Sequence, residues 1–85
     1  MKIEIYTKPN CSYCVHAKKF LHENMIEYVE YKLGEDFSRE DLLNKIPSAK
    51  TYPVILIDEK FIGGFSDLKA EFENKYMSTG EWNGA

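Results

Sequence analysis

Apolar and polar residues alternate at the start of the chain, and the spacing then becomes helical. Ile3 and Ile5 share one face of residues 2–6, which predicts a β-strand that ends at the turn-forming residues 8–10. Apolar residues then recur at helical spacing from residue 11 to residue 25, so we predict an amphipathic helix that begins at or beside Cys11. The apolar positions of this helix are Cys14, Ala17, Phe20, Leu21 and Met25.

The middle of the chain predicts a second strand and a short helix. We expect Asn24 to take the left-handed conformation that ends the first helix, because asparagine tolerates it better than most residues. Residues 27–33 are rich in aromatic and branched side chains, which favours a strand. Ser38 and Asp41 have the spacing of a capping box, so a second helix over about residues 39–46 is expected.

The rest of the pattern predicts a β-hairpin and a last helix. Residues 54–57 are all apolar, and the turn-forming residues after them lead into a brief strand at residues 61–62. Beyond two glycines the helical spacing returns, so a helix should start near Ser66 or Asp67 and end before Gly80. Its apolar positions are Phe65, Leu68, Phe72 and Tyr76.

The predicted order of elements is β-α-β-α-β-β-α. Helices that alternate with strands imply parallel crossovers, and the closing hairpin adds an antiparallel strand. We therefore expect an α/β fold with a four-stranded mixed sheet flanked by three helices. No repeat, low-complexity segment or linker divides the 85 residues, so we expect one domain over residues 1–78 and a C-terminal tail over residues 79–85.

Composition narrows the class of protein. Hydrophobic residues make up 44% and charged residues 29%, the balance of a chain that folds. Eleven Lys and Arg against fourteen Asp and Glu give no basic excess, so no nucleic-acid partner is expected. The longest aliphatic run, residues 54–57, is far shorter than the roughly 20 residues of a membrane span, so no membrane association is expected either. The N-terminal residues lack the apolar stretch of a secretory signal, which predicts a cytoplasmic protein.

The net charge of −3 hides a local asymmetry. Residues 1–22 contain four lysines and one glutamate, a sum of +3, which leaves −6 for the rest of the chain. Both cysteines lie in the positive segment. This distribution favours an anionic thiolate and an anionic ligand near the cysteines.

The cysteine pair is the strongest chemical signal in the chain. Cys11 and Cys14 form a C-x-x-C motif after the first strand of a β-α-β unit, which in a cytosolic protein is the signature of thiol redox chemistry. Side chains three residues apart at a helix start share a face, so the pair can alternate between a dithiol and a disulfide. The positive helix N-terminus and nearby Lys8 should lower the pKa of the Cys11 thiol. We therefore expect Cys11 to be the thiolate and Cys14 its more buried partner.

Activation of this kind favours exchange more than attack. A lower pKa raises the thiolate fraction, but the intrinsic nucleophilicity of the sulfur falls with a Brønsted slope of about 0.4–0.5. The gain is larger when Cys11 is the leaving group, because a thiolate of lower pKa leaves faster. The motif thus predicts rapid turnover of mixed disulfides on Cys11.

Three other interpretations of the pair stay open at this point. The cysteines could form a purely structural disulfide, although a two-residue gap closes too small a loop to stabilise much. They could bind zinc together with His16 and His22, although known zinc sites separate their ligand pairs by a dozen residues or more. They could also be two buried helix residues at this spacing by chance. No metal is expected on the redox interpretation.

Several segments together resemble the glutaredoxins, the small glutathione-dependent members of the thioredoxin fold, and particularly their short bacterial and bacteriophage forms. The segments fall in the family's order and cover nearly the whole chain. They are Tyr6-Thr7-Lys8, Cys11-Ser12-Tyr13-Cys14, Thr51-Tyr52-Pro53, Ile62-Gly63-Gly64 and Asp67-Leu68. The resemblance implies a thioredoxin-like fold.

The resemblance also implies an activity and its partners. The protein would reduce protein disulfides and glutathione mixed disulfides at the expense of glutathione, with Cys11 as the nucleophile and Cys14 as the resolving cysteine. Glutathione would be the reductant and cosubstrate, and the substrates would be disulfide-containing or glutathionylated proteins. Ribonucleotide reductase is a family-level candidate among them. The protein would act as a monomer.

A glutathione site follows from the same resemblance. Pro53 would follow a cis peptide bond and face the cysteines, which leaves the backbone of Tyr52 free to pair with glutathione. Ser66 and Asp67 would bind the γ-glutamyl end of glutathione, and Lys8 its glycyl carboxylate. The implied glutathione-binding residues are Lys8, Tyr13, Thr51, Tyr52, Pro53, Gly64, Ser66 and Asp67.

Departures from the family pattern leave two alternative functions. Ser12 stands where proline is frequent, and in the family the loss of that proline can accompany a [2Fe-2S] cluster held with glutathione between two subunits. Tyr52 replaces the commoner valine, and Phe65-Ser66 stands where a small residue and an acid are frequent. The first alternative is such a cluster-binding protein. The second is a glutaredoxin-like protein that is reduced by thioredoxin reductase.

Overall fold

Strand β1 (Ile3–Thr7) lies inside a four-stranded sheet, and all five of its residues are buried. The computed structural model describes residues 1–75. The other strands are β2 (Val29–Lys32), β3 (Val54–Ile57) and β4 (Lys60–Gly63), and the sheet order is β2-β1-β3-β4. Strand β2 pairs parallel to β1, whereas β3 pairs antiparallel to β1 and β4 antiparallel to β3. The mixed four-stranded sheet predicted from the sequence is confirmed.

Three helices cover the two faces of this sheet. They are α1 (Ser12–Glu23), α2 (Arg39–Lys45) and α3 (Phe65–Lys75), in the predicted order. Helices α1 and α3 share a core with one face of the sheet, and α2 packs on the other face. The first core comprises Ile3, Ile5, Ala17, Leu21, Ile55, Ile57, Leu68 and Phe72, and the second comprises Tyr6, Leu42, Ile46, Ala49, Val54 and Leu56.

The end of α1 differs from the prediction. Met25, rather than Asn24, is the left-handed residue, with φ of +58° against −98° for Asn24. The N–H of Ile26 donates to the carbonyl of Leu21 at 2.9 Å, and the N–H of Met25 donates to that of His22 at 3.1 Å, the bond pattern of a Schellman motif. The reversal turns Met25 into solvent, where it is 92% exposed, so it does not belong to the apolar face predicted for the helix.

The second helix begins as its sequence predicts. Ser38 Oγ accepts a hydrogen bond from the N–H of Asp41 at 3.0 Å, and the Asp41 carboxylate accepts one from the N–H of Ser38 at 3.1 Å. These two bonds complete the expected capping box. The helix ends at Lys45, one residue before the predicted end.

The third helix starts at Phe65, slightly before the predicted start at Ser66 or Asp67. The N–H of Leu68 donates to the carbonyl of Gly64 at 3.0 Å, so Gly64 occupies the cap position. The predicted contribution of Tyr76, the helix end before Gly80 and the boundary between residues 1–78 and 79–85 lie outside the described residues.

No helix within residues 1–75 combines the length and the apolar character that a membrane span requires.

Candidate active site

The two cysteines lie at the N-terminus of α1, where the backbone leaves the sheet. Cys11 is the cap residue, with an extended backbone (φ −118°, ψ 105°), and its Sγ accepts a hydrogen bond from the N–H of Cys14 at 3.2 Å. The two sulfur atoms form a disulfide, and the Cα atoms are 5.3 Å apart. Cys11 is half-buried, whereas Cys14 is 2% exposed. The geometry therefore matches the predicted roles of an accessible first cysteine and an inner second one.

A groove of about 400 Å³ brings together seven of the eight residues predicted to bind a ligand. Its walls come from the start of α1, the loop before β3 and the first turn of α3. The lining residues are Tyr13, Thr51, Tyr52, Pro53, Gly64, Phe65, Ser66 and Asp67. Segments far apart in the sequence thus meet beside the cysteine pair.

The loop before β3 forms one wall of the groove. The Tyr52–Pro53 peptide bond is cis, as the family resemblance implies. Pro53 is buried, and its carbonyl oxygen would lie 3.5 Å from a Cβ atom built on Gly64, so the loop and the start of α3 are closely apposed. The Tyr52 hydroxyl is buried and has no hydrogen-bond partner among the described residues.

Asp67 lines the groove from the first turn of α3, and Gly63 makes room for its side chain. The Asp67 Oδ2 atom accepts a hydrogen bond from the N–H of Gly64 at 3.0 Å, which caps the first turn of α3. Gly63 has φ of +124°, and a Cβ atom at this position would overlap the Asp67 carboxylate. The absence of a side chain at Gly63 therefore accommodates the Asp67 side chain.

Lys8 is the one predicted binding residue that lies outside the groove. It lines a second cavity, of about 190 Å³, together with Cys11 and Cys14. Its Nζ atom lies 5.5 Å from the centroid of the Tyr52 ring, a cation–π distance. Lys8 therefore links the two cavities, because it lines the second one and its ammonium lies over a ring that lines the groove.

The second cavity also contains a charged cluster that sequence reasoning missed. Glu30 Oε2 accepts hydrogen bonds from Thr7 Oγ1 at 2.7 Å and from Lys18 Nζ at 3.0 Å. Burial raises the pKa of the Glu30 carboxyl, but the bonds from Thr7 and Lys18 and the charges of Lys18 and Lys32 lower it by more, so the net direction is downward. The only signal in the sequence is an acidic residue inside a predicted strand.

The Glu30 cluster predicts a pH-dependent change in stability. We expect Glu30→Gln to lower the free energy of unfolding at neutral pH by about 1 kcal/mol, because an amide accepts these bonds less strongly than a carboxylate. Because the folded-state pKa is lowered, the contribution is fully present above the ordinary value of 4.5 and is lost as the pH falls through the folded-state pKa. Urea denaturation of both proteins at neutral and acidic pH measures this difference. The matched control is Glu27→Gln at an exposed position, and an equal, pH-independent loss in both variants would contradict the prediction.

Within residues 1–75 the two histidines belong to no group of side chains that is placed to hold a metal ion. Both are exposed, and the His16 ring packs between the rings of Tyr13 and Phe65, at centroid distances of 6.1 Å and 5.8 Å. Within residues 1–75 no group of three or more His, Cys, Asp or Glu side chains is placed to hold a metal ion. The zinc site considered from the sequence is therefore not assembled in this part of the chain.

The C-x-x-C pair lies at the first turn of a helix, and the four-stranded mixed sheet is flanked by three helices within residues 1–75. Together these features define the class of the thioredoxin-like thiol–disulfide oxidoreductases. Comparison with known families gives a narrower result, since the Glutaredoxin family profile matches residues 3–62. The chain belongs to the glutaredoxin family.

Individual relatives agree with this assignment. A probable glutaredoxin of Synechocystis is 34% identical over 68 residues, which cover 79% of this chain and 62% of that protein. Glutaredoxin 3 of Escherichia coli K12 is 35% identical over 68 residues, which cover 80% of this chain and 82% of that protein. This chain is therefore similar to the larger part of glutaredoxin 3, whereas it spans less than two thirds of the Synechocystis protein.

Solved structures share the fold. The crystal structure of glutaredoxin 1 from Francisella tularensis, complexed with cacodylate, has a TM-score of 0.76 and 32% identity, and covers 91% of this chain and 98% of its own. The thioredoxin-like protein BC3987 has a TM-score of 0.66 and 32% identity, and covers 81% of this chain and 94% of its own. The thioredoxin-like fold follows from these likenesses, and membership of the glutaredoxin family supports a thiol oxidoreductase activity.

Proposed function

We propose that the protein uses glutathione to reduce protein disulfides and glutathione mixed disulfides. The observation that carries this proposal is the groove lined by Tyr13 of the C-x-x-C motif, which gathers seven of the eight residues expected to bind glutathione. Glutathione is a tripeptide with a carboxylate at each end and one ammonium group. The groove and its neighbour Lys8 offer a complementary partner for each of these groups.

The two ends of glutathione would be held by the first turn of α3, which lines the groove, and by Lys8, which lies outside it. The first-turn N–H groups of α3, at Ser66 and Asp67, have no partner within the helix and suit the γ-glutamyl carboxylate. One Asp67 oxygen accepts the Gly64 N–H, and the other is directed to the γ-glutamyl ammonium in this proposal. At the far end, Lys8 would bind the glycyl carboxylate, and the Tyr52 ring already lies under its ammonium.

The middle of glutathione would pair with the backbone before β3. Tyr52 and Pro53 line the groove, with Thr51 beside them. In the proposed complex the N–H and C=O of Tyr52 pair in β fashion with the cysteine residue of glutathione. Tyr13, which is 63% exposed, flanks the bound tripeptide. This pose brings the sulfur of glutathione to Cys11.

The mixed-disulfide route needs Cys11 alone. The Cys11 thiolate attacks the glutathione sulfur of the substrate, and the substrate thiolate leaves and takes a proton from water. The thiolate of a second glutathione then attacks the glutathione sulfur held on Cys11. This step forms oxidised glutathione and releases the Cys11 thiolate, which the helix N-terminus stabilises.

The protein-disulfide route needs both cysteines. Cys11 attacks one sulfur of the substrate disulfide, and the other substrate sulfur leaves as a thiolate. Cys14, once deprotonated, attacks Cys11, which forms the Cys11–Cys14 disulfide and releases the second substrate thiol. Two glutathione molecules then reduce this disulfide with two electrons.

Ribonucleotide reductase is the family-level candidate among the protein substrates. We also propose that the protein acts as a monomer in the reducing cytosol.

The γ-glutamyl contact gives a prediction for Asp67. Asp67→Ala should raise the KM for glutathione by roughly 5–10-fold and lower kcat by less, because a charge-assisted bond to the partly solvated ligand is lost. The matched control is Asp41→Ala, which removes the equivalent cap from α2 on the other face of the sheet. Steady-state kinetics with varied glutathione would test both variants. An unchanged KM in Asp67→Ala, or the same rise in Asp41→Ala, would remove Asp67 from the site.

The reductant itself tests the proposed function, because the similarity to the thioredoxin-like protein BC3987 favours one rival. The rival is a glutaredoxin-like protein that thioredoxin reductase reduces. The wild-type protein is assayed twice with NADPH, once with glutathione and glutathione reductase and once with thioredoxin reductase. We expect turnover in the first assay. Turnover in the second assay alone would establish the rival.

A further inference from the structure

The second cavity lies beside the same cysteine pair as the groove but has different walls. It has a volume of about 190 Å³ and lies between α1, the loop after β1 and strand β2. Five charged residues line it together with Cys11 and Cys14, whereas the groove holds only Asp67 as a charged residue. These five are Lys8, Lys18, Glu30, Lys32 and Glu35.

Two of the five charges are fixed relative to the cysteines. Lys18 follows Cys14 by one helical turn, so both side chains lie on one side of α1. Lys18 and Glu30 are bonded at 3.0 Å, and their side chains are 32% and 19% exposed. Thr7, which is 4% exposed, donates the second bond that orients the Glu30 carboxylate.

The other three charges act more weakly on the sulfur atoms. Lys8, Lys32 and Glu35 are exposed, so water and salt screen them. A partly buried pair is screened less, and two opposite charges only 3.0 Å apart oppose each other's effect on a neighbouring group. Removing either charge alone would leave the other uncompensated beside the cysteines.

We propose that Glu30 and Lys18 balance each other's charge beside the Cys11–Cys14 couple, so that the loss of either residue alone shifts the reduction potential of the couple. This inference rests on the proposed function only because it takes Cys11 and Cys14 to be a working redox couple. Reduction adds two electrons and two protons to the disulfide, and the Cys11 thiol then releases one proton to water as it becomes a thiolate. Lys18 stabilises that thiolate and Glu30 opposes it. The two effects on the reduction potential oppose each other while both residues are present, and removal of either residue would shift the potential.

The two single variants should shift the potential in opposite directions. Glu30→Gln leaves Lys18 uncompensated, so the reduced form becomes more stable and the potential less negative. Lys18→Gln leaves Glu30 uncompensated, so the potential becomes more negative. We expect about a threefold change in the equilibrium constant for each, or about 14 mV at 29.6 mV per tenfold for a two-electron couple. The double variant should lie close to the wild type, and the pKa of the Cys11 thiol should fall in Glu30→Gln and rise in Lys18→Gln.

The experiment equilibrates each protein in mixtures of reduced and oxidised dithiothreitol and measures the reduced fraction by alkylation and mass spectrometry. Thiolate absorbance against pH gives the pKa of the Cys11 thiol. The control is Glu27→Gln, which makes the same change in net charge beside the far end of α1 and should leave the potential unchanged. Because dithiothreitol replaces glutathione, a failure of glutathione turnover would not alter this readout.

Three results would overturn the proposal. A shift of both single variants in the same direction would indicate that the ion pair acts only on the structure. Unchanged potentials in both, or an equal shift in Glu27→Gln, would exclude a local charge effect. If Glu30→Gln does not fold, Lys18→Gln decides alone: a more negative potential supports the proposal, and an unchanged or less negative one contradicts it.

Discussion

Replacement of Cys11 by serine should reduce turnover of a glutathione mixed disulfide to the background rate, whereas Cys14→Ser should retain it. The serine hydroxyl cannot form the sulfur–sulfur bond that carries glutathione, so no later step can take place. Cys14 is nearly inaccessible, at 2% exposure, and the mixed-disulfide route does not need it. The assay follows NADPH consumption by glutathione reductase with a small glutathione mixed disulfide as the substrate.

A protein-disulfide substrate provides the control for this pair of variants. In the dithiol route Cys14 resolves the bond between Cys11 and the substrate. The Cys14→Ser variant should therefore fail to reduce a protein disulfide, although it still reduces glutathione mixed disulfides. Both variants also lack the Cys11–Cys14 disulfide, so the loss of that bond cannot by itself explain a difference between them. Full activity in Cys11→Ser with either substrate would contradict the proposed mechanism.

Gly63→Ala should impair both folding and glutathione binding. The backbone of Gly63 has φ of +124°, and an alanine there costs about 1–2 kcal/mol through strain. Its Cβ atom would also displace the Asp67 carboxylate from the Gly64 N–H, at a further cost of about 1 kcal/mol. We therefore expect a total loss of about 2–3 kcal/mol in the free energy of unfolding, with a rise in the KM for glutathione like that of Asp67→Ala.

Gly34→Ala separates the two effects of this substitution. Gly34 also has a left-handed backbone, with φ of +92°, but no atom lies within 4 Å of a Cβ built there. Gly34→Ala should therefore lower the free energy of unfolding only by the cost of the backbone strain, and should leave the KM for glutathione unchanged. Urea denaturation and steady-state kinetics on the two alanine variants would measure both quantities. Equal losses of stability together with equal KM values would show that Gly63 makes no special room for Asp67.

Local patterns predict most of the fold because they depend on neighbours in the sequence. The alternation around Ile3 and Ile5, the apolar run at β3 and the helical spacing after Cys11 all identify elements that the structure contains. The capping box at Ser38 was predicted correctly because its two hydrogen bonds join residues three positions apart. The end of α1 was predicted wrongly. Met25 rather than Asn24 has the left-handed backbone, and the apolar pattern does not encode this backbone angle.

The candidate site was predictable only in part, because its contacts join distant segments. The resemblance to glutaredoxins implied eight glutathione-binding residues, and the structure places seven of them, all but Lys8, in one groove. The bonds between Glu30 and its partners Thr7 and Lys18 span 23 and 12 residues, so no local pattern could predict them. The fit of Asp67 against Gly63 depends on a positive φ and a side-chain position, which the sequence alone does not define.

The most direct measurement traps glutathione on the protein. Cys14→Ser and Cys11→Ser are each incubated with oxidised glutathione, and peptide mass spectrometry then identifies the modified cysteine. We expect one glutathione per chain on Cys11 in Cys14→Ser, which reduced glutathione removes, and no adduct on the buried Cys14 in Cys11→Ser. An adduct on Cys14, or the absence of any adduct on Cys11, would contradict the claim that Cys11 is the residue through which this protein exchanges disulfides with glutathione.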